Sequence, residues 1–303
     1  MRCGFVSLIG RPNAGKSTLL NRMVGTKLAI VSDKPQTTRN RIVAVRNYTG
    51  DHAAQVVFVD TPGIHRPLHR MNVRMVEMAY ESMAEVDLIG LVRDTTDGLG
   101  AGDRFVLEAL KRATGPVILV LNKVDLVTKQ RLLPMMDWYS RQREFAAIVP
   151  VSAATGDGVE VLEREIIGLL PEGEPLYPDD YLTDQPERVL AAETVREKVL
   201  RYTHAELPFS TAVVIDRFDD ESEPGLLRLY CSILVERASQ KPIVIGPRGA
   251  LIRKIGTEAR HDLERFFDTR VYLDLHVKVR AAWRENDRIL DQAGVALRAK
   301  PRG

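Results

Sequence analysis

Gly10-Arg11-Pro12-Asn13-Ala14-Gly15-Lys16-Ser17, set directly after the apolar run Phe5 to Ile9, has the spacing Gly, four residues, Gly, Lys, Ser. Glycines at such positions let backbone N–H groups wrap phosphate oxygens, the lysine reaches the outer phosphates, and the serine hydroxyl ligates magnesium. A strand entering this loop and a helix leaving it predict a nucleotide-binding α/β unit. The residues that follow agree. Short β-branched apolar runs at Gln55 to Val59, Leu88 to Val92, Val117 to Leu121 and Ile148 to Val151 alternate with helical patterns, as in a mostly parallel sheet flanked by helices. Their near-continuous apolarity predicts cover on both faces. Leu162, Ile166 and Leu169 recur at helical spacing before Pro171, so this unit is expected to span residues 1–170.

Three more motifs stand at the ends of these runs. Asp60-Thr61-Pro62-Gly63 offers a carboxylate to a magnesium hydration shell and a glycine N–H to a γ-phosphate. Asn122-Lys123-Val124-Asp125 offers a carboxylate that can accept hydrogen bonds from N1 and N2 of guanine, donors that adenine lacks. Ser152-Ala153-Ala154 is a small-residue turn whose backbone N–H can reach guanine O6. Ligands of open α/β sheets bind at the C-terminal ends of strands, so the four motifs are expected around one GTP or GDP. Asp33-Lys34-Pro35-Gln36-Thr37-Thr38-Arg39 is polar and broken by proline. It predicts a loop that offers a threonine hydroxyl to magnesium. Ile64 stands where Ras-like GTPases carry a water-orienting glutamine, and an alkyl group cannot orient water. With no arginine finger visible, hydrolysis is expected to be slow, on the order of 10⁻⁴ to 10⁻² per second. Leu68, Met71, Met75 and Met78 make a stripe expected in the core, and His65 and His69 have no partner at metal-ligand spacing.

From residue 171 to 186 four prolines and several acids interrupt any apolar period, which reads as a linker. Residues 187–303 are expected to form an α+β second domain: a helical segment through Arg201, apolar runs at Thr211 to Ile215, Leu227 to Val235 and Val271 to Val279, and a glycine-opened helical stretch from Ile243 to Phe267. Inside it, Ile245-Gly246-Pro247-Arg248-Gly249-Ala250-Leu251-Ile252 has the Ile-Gly-Xaa-Xaa-Gly-Xaa-Xaa-Ile form of KH domains. There the glycine loop clamps nucleic-acid backbone against a helix N-terminus. Charge points the same way. Lys241 to Gly303 holds 14 of the 43 basic residues and 8 of the 41 acidic ones, leaving 29 against 33 for the remainder, an asymmetry suited to a polyanion partner. Hydrophobic content of 45% and charged content of 28% are those of globular protein, not of a disordered or fibrous chain. Cys3 and Cys231 lack a paired framework, which suits a reducing cytosol. No apolar run approaches the roughly 18 residues of a membrane span.

Gly10 to Ser17, Gln36-Thr37-Thr38-Arg39, Asp60 to Gly63, Asn122 to Asp125 and Gly246 to Gly249 together make the whole chain resemble the Era family of bacterial GTPases. The resemblance implies an α/β P-loop GTPase domain followed by a type II KH domain. It assigns the guanine clamp to Asn122, Lys123 and Asp125, with Ser152 and Ala153 beside them, and extends the nucleotide-contacting loop to Thr18. It implies a hydrolytic set of Lys16, Thr38 rather than Thr37, Asp60 and Gly63, with magnesium on Ser17 and Thr38 directly and on Asp60 through water. Relatives with Pro-Asn in the phosphate loop hold potassium on that asparagine, here Asn13. For the second domain it implies RNA contacts from Gly246, Pro247, Arg248, Gly249, Ile252, Arg253 and Lys254. The implied partner is small-subunit ribosomal RNA near its 3′ end, in the assembling small subunit. A monomer in the cytoplasm with loose contact to the inner membrane is also implied. Gly294-Val295 departs from the Gly-Tyr of relatives and touches at most a terminal packing contact. Rival readings are an RNA-binding module with a purely structural nucleotide pocket, and a membrane-signalling GTPase whose basic end meets anionic lipid.

Overall fold

The computed structural model describes every residue except 35, 51–52, 66, 68, 221–223 and 296–303, so Pro35 of the polar loop and Leu68 of the methionine stripe lie outside the described residues. The chain divides into two compact units, one made of Met1–Val31, Thr38–Leu68 and Met75–Asp184, the other of Ser32–Thr37, His69–Arg74 and Gln185–Gly303.

The first unit contains, in chain order, β1 (Arg2–Ile9), α1 (Lys16–Val24), β2 (Ile42–Tyr48), β3 (Ala54–Asp60), α2 (Arg70–Ala84, whose first turn falls to the second unit), β4 (Leu88–Asp94), α3 (Ala101–Ala109), β5 (Val117–Asn122), α4 (Lys129–Ser140), β6 (Ala147–Pro150) and α5 (Val159–Leu169). The sheet order is β2-β3-β1-β4-β5-β6. Every neighbouring pair is parallel except β2 with β3. Strand side chains alternate between two covered faces. Ile118 and Val120 of β5 join Leu19, Leu20, Leu162 and Ile166 of α1 and α5. Val117, Leu119 and Leu121 join Val106, Leu110, Met135 and Tyr139 on the other side. That arrangement is why these strands read as continuous apolar runs.

β2 was not among the strands expected from sequence. It is the antiparallel edge of the sheet, and the segment read as a linker lies against it. Val45 N donates to Leu182 O at 2.9 Å, Thr183 Oγ1 donates to Val43 O at 2.6 Å, and the stacked rings of Tyr177 and Tyr181 cover Val43, Val45, Val57 and Val59. A strand edge left bare invites unwanted pairing, and residues 176–183 cap this one. Met71, Met75 and Met78 are buried, as the core reading expected.

The second unit contains α6 (Glu187–Tyr202), α7 (Leu207–Ser210), β7 (Ala212–Asp219), β8 (Leu226–Val235), α8 (Lys241–Ile245), α9 (Ala250–Phe267), β9 (Arg270–Val279) and α10 (Asp287–Gln292). Its sheet runs β7-β8-β9, antiparallel then parallel. Val195 and Val199 of α6 and Ile255, Ala259 and Leu263 of α9 pack on Leu229, Cys231 and Ile233 of β8. Helix, two strands, loop, helix, strand is the order expected of type II KH. Val295, in place of the expected tyrosine, is fully buried, and its N–H donates to Leu290 O at 2.8 Å. Cys3 and Cys231 are both free and buried.

Candidate functional site

Because β1, β3, β4, β5 and β6 are parallel neighbours, the residues just beyond their C-terminal ends gather on one edge of the sheet. The phosphate loop follows β1, Asp60 ends β3, Asn122 ends β5, and Ser152 comes two residues after β6. Four motifs spread over 143 residues, Gly10 to Ser152, are thereby set at a single edge.

Lys16 begins α1 and is almost fully buried, its Nζ donating to Arg11 O at 3.1 Å and Gly10 O at 3.4 Å. Burial lowers the pKa of its ammonium group, and the Asp60 carboxylate opposes that shift. Asp60 is the complementary group. Burial raises its carboxyl above the ordinary range, while Lys16, Ser17 and Thr38 pull it back. Ser17 Oγ lies 2.7 Å from both Thr38 Oγ1 and Asp60 Oδ2, and Thr38 Oγ1 lies 3.4 Å from the same carboxylate oxygen. Asp60 Oδ1 is buried with no hydrogen-bond partner among the described residues. Three clustered oxygen donors and one orphaned anionic oxygen fit a hard divalent cation such as magnesium. Among the described residues no group of three His, Cys, Asp or Glu side chains could hold a metal. Thr37 takes no part in this cluster, since its Oγ1 donates to Lys34 O at 2.6 Å.

Asn122 ties the halves of the site together. Its Nδ2 donates to Ala14 O at 2.8 Å, and its Oδ1 accepts the Ala153 N–H at 2.9 Å. Gly15, at φ 91, passes so close to Asn122 that a Cβ there would stand 2.2 Å from Nδ2, so only glycine fits. Ser152 N–H donates to Asp157 O at 2.8 Å. Of the Ser152-Ala153-Ala154 turn expected to meet guanine O6, the Ser152 and Ala153 N–H groups are therefore engaged within the protein. Asp125 is exposed, one residue into a short turn after Lys123. Arg11 lies in the phosphate loop, but its guanidinium turns toward Asp97 and Asp103, at 3.5 and 3.7 Å. Ile64 donates its backbone N–H to Gly10 O at 3.0 Å and buries its side chain beside Ile9, so nothing at that position reaches solvent to order a water.

Sequence reading missed two supports, one between residues far apart in the chain and one within the turn that follows α1. Arg22 of α1 donates from Nε to Ala153 O at 3.2 Å, bracing the Ser152 turn. Asn21 accepts the Leu28 and Ala29 N–H groups at 3.0 and 2.9 Å, fixing the chain as it leaves α1.

In the second unit, the glycine loop stands where expected, at the start of α9, as the turn Pro247–Gly249 with Arg248 at φ 51, and the short helix α8 ahead of it was not read from the sequence. Gly246 has φ 72, and a Cβ on it would meet Leu251 Cβ at 2.6 Å. Gly249, Ile252 and Arg253 line a groove of about 450 Å³ with Thr257 and Arg260 of α9 and Leu273 and Leu275 of β9. Lys254 is turned off the groove, its ammonium 4.3 Å from the centre of the Tyr202 ring. Arg253 and Arg260 carry the charge that the groove receives.

The fold and the first unit's edge define a P-loop GTPase joined to a KH domain. Residues 5–123 match the model of the family described as 50S ribosome-binding GTPase, and residues 206–284 match that of the KH domain. GTPase Era of Geobacter sp. (strain M21) is 52% identical over 293 residues, covering 97% of each chain. GTPase Era of Geobacter metallireducens is 48% identical over the same share. Among solved structures, Aquifex aeolicus Era bound to GDP·AlF4⁻ has a TM-score of 0.93 at 40% identity, covering 98% of this chain and 100% of that one. Era in complex with MgGDPNP and nucleotides 1506–1542 of 16S ribosomal RNA has a TM-score of 0.94 at 40% identity and the same coverage. The chain belongs to the Era family of GTPases, and its activity is the hydrolysis of GTP to GDP and phosphate.

Proposed function

We propose that this chain is a GTP-dependent switch that binds small-subunit ribosomal RNA near its 3′ end and assists assembly of the small ribosomal subunit. The observation that carries the reading is likeness over nearly the whole chain to an Era structure that holds MgGDPNP and 16S ribosomal RNA together. The groove at Gly249, Ile252 and Arg253 supports it, being of a kind in which a glycine loop clamps single-stranded backbone.

In this reading Gly10 to Thr18 wrap the phosphates and Lys16 neutralises their outer charge. Ser17 and Thr38 hold magnesium directly and Asp60 holds it through water, and that ion supplies charge neutralisation between the β- and γ-phosphates. Gly63 N–H meets the γ-phosphate, Asp125 reads the guanine edge, and Thr61 and Pro62 shape the turn from Asp60 to Gly63. Asn13 holds potassium near the phosphates and offsets the missing glutamine. Gly246, Pro247 and Arg248 flank the RNA groove, while Lys254 lies over Tyr202 outside it. The protein acts as a monomer in the cytoplasm. Among the described residues no helix is long and apolar enough to cross a membrane, so contact with the inner membrane would be peripheral.

The test is binding of a 3′-terminal 16S RNA fragment, by fluorescence anisotropy, to the wild type and to Gly249→Asp. That substitution adds a negative side chain where no heavy atom would crowd its Cβ, and because φ 76 strains any side chain, circular dichroism first checks that the variant folds. RNA affinity should fall at least about tenfold with GTP turnover unchanged, by charge repulsion at the backbone clamp. Equal RNA affinity of the two proteins would remove the groove from the proposal.

A further inference from the structure

The turn between β4 and α3 touches both halves of the nucleotide site and belongs to none of the four motifs. At one end it grips the base-reading motif. Thr95 donates from N and from Oγ1 to Asn122 O, at 3.0 and 2.9 Å, and Oγ1 also lies 3.1 Å from Lys123 O. Asp94 Oδ2 stands 2.6 Å from Lys123 Nζ, while its Oδ1 accepts the Thr96 N–H and hydroxyl at 2.9 and 2.6 Å. Lys123 needs such support, because it sits at φ 67, a left-handed conformation that a long side chain seldom adopts. Burial pushes the Asp94 carboxyl up, but its bonds to Lys123 and Thr96 outweigh that and hold it below the usual range.

The other end of the turn reaches the phosphate loop, where Arg11 lies 3.5 Å from Asp97 and 3.7 Å from Asp103. Between the ends, the buried Arg93 stiffens the turn from inside. It donates from Nη2 to Gly98 O at 2.9 Å and to Asp97 O at 3.2 Å, and its Nε stands 2.7 Å from Asp103 Oδ1. Tyr139 closes the set by donating to Asp103 Oδ1 at 2.9 Å. A turn braced in this way cannot move at one end without loading the other.

We propose that residues 94–103 act as a spacer that fixes the separation between the phosphate loop and the base-reading motif before the nucleotide arrives, with Asp94 and Asp97 as positioning residues. Neither carboxylate belongs to the Ser17, Thr38 and Asp60 cluster, so the spacer governs how tightly guanine nucleotide is held and leaves the hydrolytic step alone. Preorganisation of this kind strengthens binding by removing the ordering cost at the moment of association. Guanine-nucleotide binding by the family underlies the inference, and a wild-type control separates failure of that premise from failure of the spacer.

The experiment measures mant-GDP and mant-GDPNP association and dissociation by stopped flow, with GTP turnover at saturation, for the full-length wild type, Asp94→Asn and Asp97→Asn. Asp94→Asn keeps an acceptor for Thr96 and removes the charge facing Lys123, and both Kd values should rise about tenfold. Asp97→Asn breaks a more exposed pair and should raise them about threefold. The value of kcat should stay within twofold in each, since loss of uniform binding raises KM alone. A merely structural role would lower kcat and thermal stability along with affinity. Unchanged affinity in Asp97→Asn, or a fall in kcat at saturation in either variant, overturns the spacer. Should Asp94→Asn fail to fold, Thr95→Val takes its place, deleting only the hydroxyl bonds to the Asn122 and Lys123 carbonyls, and an unchanged Kd there overturns the proposal equally.

Discussion

Replacing Asn122 by Ala deletes both hydrogen bonds that join the phosphate loop to the Ser152 turn, and neither partner can turn to water. Ala14, Asn122 and Ala153 are all at most 3% exposed, so Ala14 O and Ala153 N–H stay buried and unsatisfied. Each such group costs about 1 to 3 kcal/mol, against about 0.5 to 1.5 kcal/mol for an ordinary lost hydrogen bond. We expect about 3 kcal/mol of destabilisation for the pair. At about 2 to 4 °C per kcal/mol for a unit of this size, the first unit's transition should drop by roughly 9 °C in calorimetry of nucleotide-free protein. A second measurement separates binding from stability. GDP at 100 times the wild-type Kd stabilises the wild type by about 2.7 kcal/mol. The variant, with both loops released, should gain less than about 0.5 kcal/mol from the same concentration, which corresponds to a Kd raised about a hundredfold. A nucleotide-free transition within 2 °C of wild type, or a full GDP-induced shift, would refute the reasoning that Asn122 holds the site together.

Three further outcomes are expected. Asp125→Asn exchanges an acceptor for a donor at the guanine edge and should turn preference toward xanthine nucleotide by at least about tenfold in competition binding; retained GDP preference would count against Asp125 as the base reader. Asn13→Ala should abolish faster GTP turnover in potassium than in sodium, and a wild type that turns over equally in both salts would remove the potassium site. Burial holds the Glu163 carboxyl above its ordinary 4.5, partly offset by the Tyr48 hydroxyl that donates to it at 3.0 Å. Its contribution to stability is therefore full below the unfolded-state pKa and lost as pH rises through the folded value. Glu163→Gln keeps the acceptor and removes the titration, so its melting temperature should gain on the wild type between pH 4 and pH 7; parallel profiles would contradict this.

Much of the fold was legible because its determinants are local. A phosphate loop must contain particular glycines, a lysine and a hydroxyl within eight residues, and strands covered on both faces must be apolar throughout, so Gly10 to Ser17 and the run Val117 to Leu121 declare themselves. Glycines that admit a close-packed turn before a helix announce the groove at Gly246 to Gly249 in the same way. β2 escaped notice because an edge strand, half-exposed toward its end, follows a polar loop without a turn signal. Its cover comes from residues more than 130 positions later, which no local period reports.

The sequence by itself determined which chemistry the chain carries, since the residue types that bind phosphate, magnesium and guanine are set by valence and hydrogen-bonding pattern. Only the tertiary structure decided how those residues are held. The Asn122 amide spans 108 residues to Ala14, Arg11 turns from the phosphate loop to two aspartates, Lys254 lies over Tyr202, and Asp94 restrains Lys123. Each of these follows from distances between strands and helices that chain order leaves open, and burial then makes every such partnership obligatory, because a polar group shut away from water must find its bond inside the protein.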